Sequence, residues 1–190
     1  VISPTPSRRS PIKFRHSHRL GAFALVAVSA VLAACSPAPS PTPTPTAAFA
    51  SEKEAFAAAE DTYRAFTARL NQLDIADPAT FEPLFDLSSG EFEAADRKSY
   101  SAMHAEGFVI EGDTKVLSFQ GVEAASPFDK VSAKVCLDVS AVTVTDSAGI
   151  SQIDANRPNV YSLDVVFVAD QSSLTIDSVS VNKEAKCATP

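Results

Sequence analysis

From Pro37 to Pro45 every second residue is proline, with only small residues between them. Each ring fixes φ and removes a backbone donor, so neither a helix nor a sheet can run through the tract. Ser36 to Thr46 is instead expected to take extended polyproline II, which at ~3.1 Å per residue would make a semi-rigid spacer of roughly 34 Å. The chain of 190 residues is thereby cut into a leader, a tether and one stretch from residue 48 to 190 that must carry the whole core. At 45% hydrophobic and 21% charged residues, the whole chain has the apolar content for one ordinary domain and too few residues for two. The tract also has the composition of a ligand for a proline-binding module, a second reading beside the spacer.

Residues 1–34 have the layout of a secretory signal. Arg8, Arg9, Lys13, Arg15 and Arg19 precede an apolar run from Leu20 to Ala34, and no acidic residue interrupts the first twenty positions. That run is shorter than the roughly 20 apolar residues a spanning helix needs. Leu32-Ala33-Ala34-Cys35 resembles the bacterial lipobox, in which the cysteine sulfur receives a diacylglyceryl group before cleavage on its N-terminal side. The resemblance implies that residues 1–34 are removed and that Cys35, at the head of a 35–47 tether, enters the lipid bilayer through its diacylglyceryl group. It places the protein on the outer face of the bacterial cytoplasmic membrane. An ordinary secretory signal with a chance cysteine is the rival reading. Ser7 to Lys13 also resembles a twin-arginine export signal, except that Pro11 stands where an apolar residue is expected. His16 and His18 fall in the removed segment.

Processing leaves eleven basic residues against all 23 acidic ones, a net charge of about −12. So acidic a surface argues against nucleic acid, which demands clustered Lys and Arg.

Past the tether, Phe49, Phe56, Tyr63, Phe66, Leu70 and Leu73 recur at helical spacing, and Ser51 with Glu54 has capping-box spacing. Asp77-Pro78 caps a short second helix carrying Phe81, Leu84 and Phe85, which ends near Asp86. Ser88 and Glu91 again have capping-box spacing, opening a third helix with Phe92, Ser99 and Met103 on one face and Gly107 as its stop. The period then changes to two. Phe108 to Ile110 and Lys115 to Val122 read as a hairpin around Gly112-Asp113. Val131 to Val139 alternates strictly, and a parity flip near Ser140-Ala141 reads as a bulge. Tyr161 to Ala169 and Leu174 to Val181 form a last hairpin turning near residues 170–172, with a further parity change between Ile176 and Val179. The expected fold is α+β, three N-terminal helices packed on a curled antiparallel sheet.

Ala59 to Ala65, Asp77 to Glu82, Arg97 to Ser99, Met103-His104 with Gly107, and Val135 to Ser140 stand out along this pattern. In these segments the chain resembles nuclear transport factor 2-like (cystatin-like cone) domains, of the kind found on surface lipoproteins of high-GC Gram-positive bacteria. None is a catalytic signature. The resemblance allows two functions: a non-catalytic envelope module that binds a protein partner or a small apolar ligand, or a dehydratase, isomerase or cyclase acting inside the cone. The second would need polar groups on the concave face, for which Tyr63, Tyr100, Tyr161 and Asp164 are the candidates. Asp138 is out of phase with Leu137 and Val139, and an exposed ion pair with Lys134 suits it better than catalysis. His104, the one histidine left after processing, has two readings: a helix-end residue near the C-terminal dipole, or a general base at a pocket rim. No phosphate loop, Cys/His pair or Gly-x-Ser-x-Gly occurs, and no cofactor is expected. With Cys35 lipidated, Cys136 and Cys187 remain, and in an oxidising compartment they are expected to pair. The alternative use of two cysteines, a metal site, lacks the histidines it would need.

Overall fold

The computed structural model describes residues 47–170 and 173–187. The leader, Cys35 and the proline tract lie outside the described residues, as does the tip of the last hairpin.

The first helix, α1, spans Glu52–Leu70. Ser51 caps it in extended backbone, its hydroxyl accepting from the Glu54 N–H at 3.2 Å. Glu54 reaches back to the N–H of Ala50, one residue further upstream than a capping box requires. Its buried stripe is Ala55, Ala59, Tyr63, Phe66 and Thr67. The first half of the helix contributes two alanines to this stripe, and the second half two aromatics. A 3-10 turn at Pro78–Thr80, capped by Asp77, leads into α2 at Glu82–Phe85, which stops at Asp86. The third helix, α3, runs Gly90–Glu106 and ends on Gly107 in the left-handed region at φ 72°.

The expected capping box at Ser88 does not form. The cap position is Ser89, and no side chain bonds the first turn. Both serines have other work. Ser88 Oγ donates to the Phe85 carbonyl, and Ser89 Oγ accepts from Thr175 Oγ1 at 2.9 Å. Ser89 N–H also donates to the Ile176 carbonyl, while Ile176 N–H donates to Leu87. The segment 87–89 therefore covers part of an otherwise open sheet edge.

Strands β1 (Val109–Glu111), β2 (Lys115–Glu123), β3 (Lys130–Asp138), β4 (Thr143–Thr145), β5 (Val160–Asp170) and β6 (Ser173–Val181) follow. Four of them form an antiparallel sheet in the order β2-β3-β5-β6. Register between β3 and β5 is unbroken from Lys130 opposite Val168 to Asp138 opposite Val160. The strict alternation of β3 buries Val131, Ala133 and Val135 beside Leu163, Val165 and Phe167 of β5. Asp177 is an extra residue in β6, between Ile176 opposite Phe167 and Ser178 opposite Val166, which accounts for the parity change read from the sequence. β2 is also irregular, near Val116 and near Gly121. Bulges at both edges curl the sheet, and α1 lies across the concave side, touching β2, β3 and β6. The α+β fold with three helices on a curled antiparallel sheet is the one the sequence leads us to expect.

The expected hairpin around Gly112-Asp113 is absent. β1 pairs with β4 in a separate two-stranded sheet, and β2 pairs with β3 instead. Gly112, at φ 85°, marks a close crossing, where a Cβ would overlap the Ala141 carbonyl. The strand leaving that crossing is gripped by Asn71, whose amide exchanges two 2.9 Å hydrogen bonds with the backbone of Thr114. Nor is the parity flip at Ser140-Ala141 a bulge. There the chain turns out of the large sheet: Val142 N–H donates to Val139, and Arg157 Nη2 donates to the carbonyls of both.

Candidate functional site

The concave side of the sheet is filled by aromatic packing. Tyr63, 3% exposed, sits with its ring centroid 6.4 Å from that of Phe167 in an edge-on arrangement and 6.4 Å from that of Phe66. Phe119 closes on Phe167 at 6.1 Å, and Phe66 on Phe92 at 5.6 Å. Phe56 lies directly over Gly121 of β2, where a Cβ would overlap its ring. Burial holds the Tyr63 hydroxyl well above its ordinary pKa, so at neutral pH it is a protonated group in a packed interior.

The remaining candidates lie elsewhere. Tyr100 stands on α3 within the helical layer, 6.0 Å from Phe81 and 6.3 Å from Phe85, and burial together with the Asp96 charge raises its pKa. Tyr161, the second residue of β5 and opposite Leu137 of β3, has the parity of Leu163 and Phe167 and packs half-buried at the margin of the core. Asp164 has the opposite parity to Leu163, Val165 and Phe167, which puts it on the outer face, where Asn182 Nδ2 reaches its carboxylate oxygens at 2.9 and 3.2 Å. The four residues occupy the core, the helical layer, the end of β5 and the outer face, and the fold does not bring them together.

Asp138 does not pair with Lys134. Hydrogen bonding from Ser140 lowers its pKa, and the nearby cation is Lys115, opposite it on β2. His104 is at the end of α3, its Nδ1 donating to the Ile75 carbonyl at 2.7 Å, which suits the helix-end reading. Cys136 and Cys187 are joined in a disulfide with Cα atoms 5.7 Å apart. Among the described residues no helix is long and apolar enough to cross a membrane.

Two depressions border the disulfide-held tail. One, of about 550 Å³, is lined by Pro158, Val160, Tyr161 and Val181 with Asn182 and Lys183. The other, of about 290 Å³, lies on the outer face of β2 and β3 and is lined by Ser118, Gln120, Lys134, Ser162 and Lys186 around the two cysteines. Sequence reading missed the second, because its walls come from four segments that only the disulfide and the strand register bring together. Another missed feature is Arg97, whose guanidinium lies 4.1 Å from the Phe85 ring centroid and bonds both Glu82 and Glu93. The signal for half of it was the four-residue spacing of Glu93 and Arg97.

No protein-family model matches the chain, and no curated protein matches it significantly. Among solved structures, the intermembrane space region of the chloroplast protein ARC6 is similar over 66% of this chain and 95% of its own, at 13% identity and a TM-score of 0.48. Aln2 from a Streptomyces species is similar over 69% of this chain and 91% of its own, at 14% identity and a TM-score of 0.42. Both TM-scores are below 0.5, and at such identities no residue's role passes from those proteins to this one.

Proposed function

We propose that this chain is a lipid-tethered, extracytoplasmic binding module of a bacterial cell envelope. Residues 1–34 are its export signal, Cys35 carries the diacylglyceryl anchor, and 35–47 hold the single domain of residues 48–190 away from the bilayer. The observation that carries the module reading is the filled cone. Tyr63, Phe66, Phe119 and Phe167 occupy the concave face on which a dehydratase, isomerase or cyclase would need its polar groups. The Cys136–Cys187 disulfide supports an oxidising compartment outside the cytoplasm. The apolar depression beside Tyr161 and Val181 suits a small apolar ligand or the side chains of an envelope protein partner. Replacing Cys35 with Ala tests the anchor by fractionation of cells. The variant should lose the lipid and leave the membrane fraction, and a variant as membrane-bound and as fully processed as the parent refutes it. Crosslinking in intact cells then identifies what the module holds.

A further inference from the structure

The polar depression under the tail inverts the charge of the molecule around it. Past the signal the chain carries eleven basic residues against 23 acidic ones, yet the described residues lining this hollow include two lysines, and the carboxylate beside them in the strand register is Asp164. Strand register places its floor in two rows. Ser118, Cys136 and Ser162 lie side by side across β2, β3 and β5, and Gln120, Lys134 and Asp164 form the next row. Lys186 comes from the opposite wall, brought there because Cys187 is bonded to Cys136. Asp164, opposite Lys134 on β5, keeps its charge but is drawn toward the tail, both its carboxylate oxygens accepting from Asn182 Nδ2, and it forms no ion pair with Lys134 within 4 Å. Lys134 and Lys186 form no ion pair within 4 Å among the described residues. Ser118, Gln120, Lys134 and Lys186 are exposed, so their side-chain donors face solvent. Cations from two walls, with two hydroxyls and an amide between them, make a set of donors without a side-chain partner among the described residues.

We propose that this hollow is an anion-binding site for a hydroxyl-bearing phosphate group. A tetrahedral oxyanion has the oxygens to accept from both ammonium groups at once, and hydroxyls beside it suit Ser118, Ser162 and Gln120, which donate and accept. The volume of about 290 Å³ exceeds what a bare phosphate fills and suits a phosphorylated polyol or sugar. The proposal is independent of the lipid anchor, so it stands or falls separately from the fractionation of the Cys35 variant.

The test uses the chain from residue 47 to 190, whose described residues share one hydrophobic core. Glycerol 1-phosphate is titrated while amide shifts are followed by NMR, and sedimentation with phosphatidylglycerol vesicles is measured in parallel. Saturable shifts at Gln120, Lys134 and Ser162 are expected, with affinity falling at least tenfold in the Lys134→Gln/Lys186→Gln double variant and unchanged in Lys98→Gln. Binding to the soluble phosphate assigns a free ligand. Binding to vesicles alone, lost in the double variant, assigns the same chemistry on a lipid headgroup. No binding to either, or binding that survives the double substitution or falls equally in Lys98→Gln, overturns the proposal. The Cys136→Ser/Cys187→Ser variant supplies a second measurement, since freeing the tail removes Lys186 from the wall and should weaken binding as the double lysine variant does.

Discussion

Gly121 shows how much one missing side chain decides. It lies on β2 directly beneath Phe56, so the edge of the sheet and the first turns of α1 meet only because nothing projects there. Gly121→Val should cost about 1 to 3 kcal/mol through overpacking. Pairing it with Phe56→Leu should recover part of that loss, and a urea-denaturation double-mutant cycle measures the coupling. Asp96 is the residue whose titration matters. Burial pushes its carboxyl up to about 6, so the folded state holds this proton more tightly than the unfolded chain does. Its penalty is absent below the unfolded value near 3.8 and grows as pH rises through 6. Asp96→Asn should therefore melt higher than the parent at pH 7.5, with the difference vanishing below pH 4, as read by thermal scans across that range. Residues such as Val131, Val135 and Tyr63 were legible as interior from spacing alone. The outward position of Asp164 was also legible in its parity with Leu163, but its bond to Asn182, eighteen residues on, depends on register that no local pattern encodes.

At the scale of elements, helices and central strands were readable because each is fixed by its own periodicity. The link between β1 and β2 was not. Gly112-Asp113 has the composition of a tight hairpin turn, and a turn signal says that the chain bends without saying which strand it then meets. The partner was chosen at a distance, by Ser140 and Ala141 turning β4 out of the large sheet and by Asn71 holding Thr114 at the mouth of β2. That second contact is open to test. Asn71→Ala removes two hydrogen bonds and leaves the backbone of Thr114, a residue 7% exposed, without its partner, a loss of about 2 kcal/mol. Hydrogen exchange should show the Thr114 amide and the β1–β4 pair deprotected while β3 and β5 keep their protection. Uniform deprotection would mean that Asn71 supports the whole fold instead of this one junction.

For the molecule as a whole, the disulfide joins its two least similar parts, the second strand of the large sheet and a tail without regular structure. Past Val181 the tail is held by Asn182, whose N–H donates to Ser162 and whose Oδ1 accepts from Glu184 and Ala185, and then by the Cys187 sulfur. The crosslink spans 51 residues, including β5 and β6, and in the chain-entropy model closing such a loop in the unfolded ensemble contributes about 4 kcal/mol, measured cases ranging from ~0 to 5. The core itself, Val131, Val135, Val165 and Phe167, makes no contact through the cysteines that packing could not make without them. A Cys136→Ser/Cys187→Ser variant should therefore keep its fold by circular dichroism. Its urea midpoint should fall as the loss of a few kcal/mol requires, and its slope should rise, because an uncrosslinked unfolded chain exposes more surface. The tail amides after Asn182 should exchange freely in the native state of that variant. An unchanged midpoint would show that the bond fastens the tail without restraining the unfolded chain, and it would leave the stability of the domain to its aromatic interior alone.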